Sequence, residues 1–528
     1  MKHSVCALCL VHSLFVLPGA CAAAAVGAWQ FDDGVPASTA GALATEANAP
    51  ILNATATKNG SGALPTFSDD RPGARVWASL TGPLLNETNA ASLYVVNAGL
   101  PSNTNSNDGG CAYVNDHDPL LHPSNLTVEA FVKVNRRVNW PLVVGKARGG
   151  GNTSWNLDFD NTGKPRVRID SGVAFTNGAP GFNQSWTSTQ NIEDGQWHHL
   201  AFTYTHTNRA VDIYIDYVRK GGGNSYSNLI YDAGQLRIGQ GAGARAFDGW
   251  IDEIRLTDDV LLPDQFMTVI PTTSTRGYWT FEDGAEGTTA GTLTNGFYAP
   301  LMHGTAGAIN GGSPAPAFSG ERPPTSTARI SDGLNGPTVN LNAGSLFFVS
   351  SGLPSDLNSM SGGVVTVSGA RACAQTTNFT AEAFIRTNRK VNFPQIIGKT
   401  RAGGLAWSLA INSAGNLRAR FDTQVPPDTA GNNQTFESSA FVYDGRWHHV
   451  ALSYDYPTKT AKMYVDYEKV YEGVTLNPLW LDTNSILIGA GDQAFDGWID
   501  EVRLTDRVLA PTEFLYAVSL AGTVIGIR

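Results

Sequence analysis

The chain has 528 residues, of which 42% are hydrophobic, 10% aromatic and only 16% charged, with a net charge of −10. That length suggests two to four domains, and 57 glycines with few charges exclude a helical, Lys/Glu-rich cytosolic protein. The acidic balance argues against a nucleic-acid partner, and five cysteines, three of them within the first 21 residues, exclude a disulfide scaffold.

The N-terminal stretch MKHSVCALCLVHSLFVLPGACAAAAVG carries Lys2, an apolar run over residues 5–17 and a small-x-small site at Ala20-Cys21-Ala22. This predicts a secretory signal peptide over residues 1–22, and with it an extracellular or envelope location. A lipid anchor on Cys21 is the alternative. Against it, Leu17 stands four residues before the cysteine instead of the usual three. Loss of Lys2 moves the balance to −11, and Cys111 and Cys373 remain. They are expected to be unbonded, because the repeat described next places Val364, not Cys373, opposite Cys111. No later stretch has the ~18 unbroken apolar residues of a membrane span.

Past the leader, the chain is one unit written twice. WQFDDG at Trp29 returns as WTFEDG at Trp279, and DGQWHHLAFTY around Trp197 returns as DGRWHHVALSY around Trp447, both 250 residues on. LTVEAFVKVNRRVNWPLVVGKARGGG from Leu126 returns from Phe379, and AFDGWIDEIRLTDDVLLPDQF from Ala246 returns as AFDGWIDEVRLTDRVLAPTEF. Such spacing means two whole domains, expected over 23–270 and 276–528, joined by a Thr/Ser-rich linker over 271–275. Within each unit, VEAFVKV, HHLAFTYTH, AVDIYIDYV, QLRIGQG and WIDEIRL read as short strands broken by Gly, Asn and Asp. The one helical hint is a turn after LLPDQF, with Pro263 at a first helical position. The expectation is all-β: two tandem antiparallel sandwiches.

Four markers make that expectation specific: W-x-F-[DE]-D-G, [VA]-E-A-F, W-H-H-[LV]-A followed by Y-[IV]-D, and G-W-I-D-E-[IV]-R-L. With them each unit resembles a laminin G-like jelly-roll domain of the concanavalin A-like lectin/glucanase superfamily. The resemblance spans nearly all of both units and implies lectin-like, often non-catalytic, binding. One departure is Tyr217 and Tyr467, where the family usually has a turn glycine; the turn is either reshaped or replaced by continuing strand.

Candidate residues follow from strand geometry. Successive side chains on a strand face opposite ways, which places Trp250, Asp252, Ile254 and Leu256 on one face and Ile251, Glu253 and Arg255 on the other. Asp252 and Glu253 then diverge and cannot flank one glycosidic bond. The E-x-D-x-x-E string typical of the superfold's glucanases is absent. By the same rule His198 and His199 cannot clamp one metal ion. Glu129 and Glu382 sit among apolar neighbours; a basic partner and a raised-pKa catalytic acid would both fit, and no second catalytic group accompanies them. DFDNTGK (158–164) looks like a calcium loop, yet its copy AINSAGN lacks any carboxylate, so a turn with Gly163 or Gly415 explains both. No metal or cofactor is expected from these motifs; calcium stays open through dispersed loop carboxylates, with Asp116 and Asp118 as candidates.

The most ligand-like features are Asn139 with Trp140 and Asn392 with Phe393, each an amide beside an aromatic ring before a proline. A flat ring stacks on a sugar face while an amide bonds its hydroxyls, and Arg148 and Arg401 are added as charged donors. Trp250 and Trp498 are assigned to the core. The expected function is an exported, non-catalytic binder of carbohydrate or of a surface glycoprotein. A polysaccharide-degrading enzyme of the same superfold and a structural envelope or matrix protein are the alternatives.

Overall fold

The computed structural model describes residues 25–74, 76–77, 88–149, 152–172, 179, 181–241, 244–269, 274–295, 302–312, 314–323, 329–332, 334, 339–368, 376–401, 404–423, 433–479 and 484–518. The leader, the lipid-anchor candidate Cys21 and Cys373 lie outside the described residues.

Short strands with alternating burial build the molecule; Ala210–Ile215, for example, alternates half-buried and buried along its whole length. Among the described residues every strand pair is antiparallel, and each half forms a sandwich of two 8-stranded sheets. In the first half, one sheet centres on Trp197–Thr205, Leu126–Val134 and Gly249–Thr257. The other runs Gln184–Thr187, Pro165–Ile169, Asn152–Phe159, Leu142–Arg148, Leu236–Ile238, Gly109–Val114, Ala54–Asn59, Ala42–Leu43. The second half repeats this order, with Phe379–Thr387 and Gly497–Thr505 at the centre of its first sheet. Each half has its own core, with Trp29, Trp155 and Phe202 in one and Trp279, Trp407 and Tyr454 in the other. No helix among the described residues is long and apolar enough to cross a membrane.

The opening and closing motifs of each half meet. Ala25–Trp29 pairs with Gly249–Thr257, placing Trp29 beside Ile254, and Thr275–Trp279 pairs with Gly497–Thr505 in the same register. Trp29 is fully buried and donates from Nε1 to the Leu52 carbonyl at 3.0 Å; Trp279 does the same to Met302 at 2.8 Å. Gly27 and Gly277 permit this, because a Cβ there would meet the tryptophan ring at 2.5 and 2.4 Å. The carboxylates of the motif cap backbone: Asp32 accepts from the amides of Ala90 and Ala91, and Glu282 from that of Ala343. Strand already begins at Thr275, inside the expected linker.

The closing strand departs from simple alternation. Glu253 (φ 49) and Glu501 (φ 50) occupy the left-handed region, and the register slips between Asp252 and Arg255. This is a β-bulge, one extra residue that reverses the facing beyond it. Ile251, Ile254 and Leu256 therefore all enter the core, while Trp250 and Asp252 face outward on the side of Arg255. The core assignment of Trp250 and Trp498 is thus corrected. Both are half-buried on the outer face, where Trp250 stacks on Tyr94 at 4.7 Å under Lys133, and Trp498 packs on Phe347 under Arg386.

Two outcomes are expected. Polypeptides of residues 23–272 and 273–528, expressed separately, will each show a cooperative thermal melt by circular dichroism; a half that is disordered alone contradicts the division of the core. Trp29→Ala removes a fully buried ring and will cost about 3–5 kcal/mol, whereas outward-facing Trp250→Ala will cost about 1–2 kcal/mol, read by denaturant titration.

Candidate functional site

The centre of the outer face of the first sheet is covered. In the first half the chain turns at Pro263–Gln265 and lays Phe266 and Met267 over that face against Ala201, Phe131 and Trp197. Pro263 stands at the first position of this 3-10 turn, and Gln265 caps it through Oε1 to the Leu262 amide at 2.9 Å. Beneath it lies Glu129, wholly buried, which accepts from Arg255 Nε at 2.8 Å and from the Met267 amide at 2.8 Å, with His199 Nε2 at 3.1 Å. Glu382 repeats the arrangement with Arg503, Leu515 and His449 at 2.7, 2.9 and 2.7 Å. Burial alone would raise these carboxyls, but the arginine and histidine outweigh it and hold both below the ordinary value. A general acid needs the opposite shift, so Glu129 and Glu382 are structural anions.

The departure at Tyr217 has its reason here. Asp216 (φ 46) and Tyr217 (φ 69) keep a turn of left-handed residues, so the turn is retained. The Tyr217 ring stacks on His199 at 4.8 Å and its hydroxyl donates to the Met267 carbonyl; Tyr467 does the same over His449 and to Leu515. The other histidine of each pair points elsewhere: His198 lies between Asp216 at 2.8 Å and Asp194 at 3.2 Å, and His448 between Asp466 and Asp444. Burial works against the charged ring, but the flanking carboxylates prevail and raise both histidines.

The Asp-Glu pair is equally enclosed. Asp252 is 0% and Glu253 3% exposed, so neither can touch a sugar. Asp252 accepts from Asn89 Nδ2 at 2.9 Å and Asp500 from Asn342 Nδ2 at 2.7 Å, and burial holds both well above the ordinary aspartate value. Tyr278 donates to Glu501, whose carboxyl is pushed up to about 8 by burial. In the first half Ala28 takes the place of that tyrosine.

The calcium-like loop is a turn. Asp158 is paired with Arg166 at 2.8 and 3.0 Å, and Asp160 accepts from the Thr162 and Lys164 amides around Gly163 (φ 81). Asn412 plays the part of Asp160 in the second copy. Asp116 and Asp118 are held by His122 at 2.9 and 3.0 Å, and Asp116 also by Lys146 at 3.0 Å. No group of three or more metal-ligating side chains occurs among the described residues.

The second sheet offers the open face. One row of directly opposed residues crosses it: Thr55, Tyr113, Arg237, Gly145, Asn156, Arg168. A groove of about 700 Å³ lies along this face, lined by Asn59, Arg148, Asp232, Arg237 and Gln240 among others, and its Gly241 end leads towards Arg245. There Trp140 (φ 55) is half-buried with the Arg245 guanidinium 6.0 Å from its ring. Phe393 (φ 57) holds the same place in the second half, with Arg418 at 4.8 Å. The two cations differ for a physical reason. Arg166, the counterpart of Arg418, is drawn away by Asp158, and the second half has Ala410 there.

The sequence-predicted set is only partly assembled. Trp140 and Phe393 reach the open face. The Asn139 amide is spent on Thr104 and Asn105, and that of Asn392 on Asn358, so both asparagines brace the aromatic turn. Arg148 donates to the carbonyls of Asp170 and Gly172, and Arg401 pairs with Asp422 at 2.6 Å. Arg148 ends the strand Leu142–Arg148, about 20 Å of extended chain beyond the Trp140 turn, so they cannot serve one sugar ring. Arg148 lines the far part of the groove instead. The residues missed were Arg237, Gln240 and Arg245, and the contrast of QLRIGQG with SILIGAG between otherwise matching copies was the signal for the first two.

A family model described as the concanavalin A-like lectin/glucanases superfamily, of laminin G type, matches residues 108–266 and 359–514. The chain belongs to this superfamily. Among curated proteins, the sushi, von Willebrand factor type A, EGF and pentraxin domain-containing protein 1 of Rattus norvegicus is 31% identical over 157 residues, 28% of this chain and 4% of that protein. The chain thus spans a small part of the length of that relative. Among solved structures, mouse laminin alpha1 domains LG4-5 align over 86% of this chain and 99% of theirs, at 13% identity and a TM-score of 0.23. Domain 4 of AbnA, a GH43 extracellular arabinanase from Geobacillus stearothermophilus solved in complex with arabinotriose, aligns over 46% and 96%, at 17% identity and a TM-score of 0.29.

The buried acids predict a pH dependence. Glu501 has a folded value of about 8 against 4.5 when free, so its stabilising contribution is complete below 4.5 and is lost as pH rises through 8. Glu501→Gln removes that loss. The variant will melt roughly a few degrees above wild type at about pH 9, and the gap will close towards about pH 5, read by calorimetry. The loss of charge on His448 in the same window is common to both proteins and cancels in the difference.

Proposed function

We propose that this protein is an exported, non-catalytic binding protein that holds carbohydrate, or the glycan of a surface glycoprotein, against the outer faces of the second sheets of its two sandwiches. The observation that carries this reading is the paired aromatic turn. Trp140 and Phe393 stand at the same place in the two halves, both half-exposed, both in the left-handed region, each beside a guanidinium. Bulky residues adopt that conformation at a cost, and such outliers gather at ligand sites. A ring presents a flat apolar surface to a sugar's C–H face while the adjacent arginine donates to hydroxyls. Leaving the cytoplasm rests on the leader-like N-terminus. Absence of catalysis is supported by the engagement of the repeated carboxylates in buried networks that a substrate does not reach. Two weak sites on one chain gain avidity where both meet one target.

A glycan array, run with and without calcium, followed by titration of the best ligand, tests the reading. Trp140→Ala and Phe393→Ala will each weaken binding about tenfold with melting temperature nearly unchanged, and the double variant will abolish it. Early melting with affinity intact would make these rings hydrophobic plugs. Reducing ends or unsaturated products released from the ligand would make the protein an enzyme, and a blank array with tight retention in the envelope fraction would make it structural.

A further inference from the structure

The two sandwiches match closely in their cores but not in the floor of the groove. In the first half Asn59, Arg237 and Gln240 line it. The same places in the second half hold Ile309, Leu487 and Ala490. Both Arg237 and Leu487 lie opposite the glycine of the neighbouring strand, Gly145 or Gly398, so the exchange occurs at one register position on one face.

We propose that the first-half groove selects a saccharide bearing an oxyanion, a carboxylate or sulfate on a sugar ring, and that Arg237 holds that group. The inference rests on the carbohydrate reading above and specifies its chemistry for one of the two faces. The charges in the groove carry it. Asp232 spends its oxygens on the Gly149 amide at 2.6 Å and the Gly234 amide at 2.9 Å. Arg148 spends Nη1 on two carbonyls. Arg237 makes no hydrogen bond or ion pair with another described residue and is half-buried, on the floor of a space of about 700 Å³. Among the described residues that line the groove, Arg237 is the cation left to meet a ligand, on a chain whose net charge is −10. A net negative charge does not attract polyanions at long range, so an anion would be held by contact within this groove. A guanidinium matches a carboxylate or sulfate with two parallel N–H···O bonds, while a neutral hydroxyl receives one weaker bond. The Gln240 amide, and Oδ1 of Asn59, whose Nδ2 is given to the Asn107 carbonyl, suit the remaining hydroxyls. At these three positions the second half has Leu487, Ile309 and Ala490, none of which can hold an anion.

The full chain is titrated calorimetrically with three probes: a tetramer of galacturonic acid, a sulfated galactose tetramer and the neutral galactose tetramer. At least one anionic tetramer will bind about tenfold or more tighter than the neutral one, and added salt will narrow the gap. Which of the two binds tighter separates carboxylate from sulfate. Arg237→Leu, which installs the side chain the second half already folds with, will bring the anionic tetramers down to the neutral level. Arg237→Lys will keep part of the preference, and thermal melts will show both variants folded. Equal affinities for charged and neutral tetramers, or a preference that survives Arg237→Leu, overturns the inference. If the tetramers bind equally and Trp140→Ala with Phe393→Ala together abolish binding, the carbohydrate reading stands while this inference falls. If none binds at millimolar concentration, both fall.

Discussion

One buried carboxylate in each half holds the arrangement together. Glu129 receives Arg255 from the closing strand, His199 from its other neighbour and the Met267 amide from the segment beyond the 3-10 turn. Three strands and the strap that crosses them thus meet at a group with no access to water. Desolvating a lone carboxylate costs several kcal/mol, so removal of any one donor leaves an expensive anion, and the network specifies its own completion. V-E-A-F, W-H-H-L-A and the closing stretch that runs from W-I-D-E-I-R-L to L-L-P-D-Q-F lie in three separate parts of the chain and all contribute to this one site.

The strap decides where a ligand can go. It lays Phe266 and Met267 across the outer face of the first sheet, and the turn tyrosine locks it by stacking on His199 and donating to Met267. In the first half the groove lies on the second sheet, away from the strap. The bulge at Glu253 serves the same end. By adding one residue it lets Ile254 and Leu256 rejoin Ile251 in the core while Arg255 stays outward, beneath the strap and within reach of Glu129.

Individual strands, the twofold repeat and the turn at Pro263 were legible in the sequence because each rests on local patterning. Partnering of Glu129 was legible in kind, since a carboxylate among apolar residues needs a basic group, but Arg255 was not identifiable without the fold. Trp250 was misplaced because alternation fails at a bulge, and a bulge at a non-glycine residue such as Glu253 has no composition signal. At the open face, Trp140 was found by chemistry, whereas Arg148 was added by proximity in sequence. Strand geometry separates them, since a short count of residues in extended chain is a long distance. Arg245 came from the opposite direction: it is more than a hundred residues from Trp140, and a parallel bridge between Pro141 and Arg245 brings them together.

The comparison of the two halves shows how the fold separates stability from recognition. Leu236 and Ile238 flank Arg237, and Ile486 and Ile488 flank Leu487; the flanking residues all enter the cores, and only the middle one changes character. A period of two assigns alternate residues of one strand to the core and to the ligand face. A charged floor can then be exchanged for an apolar one without a cavity or an overpacked neighbour in the core, because the side chains concerned never share that space. The same logic explains why the aromatic turn persists in both halves while its arginine partner does not. The ring's position is fixed by the backbone and its asparagine brace, while the cation beside it is Arg245 in one half and Arg418 in the other.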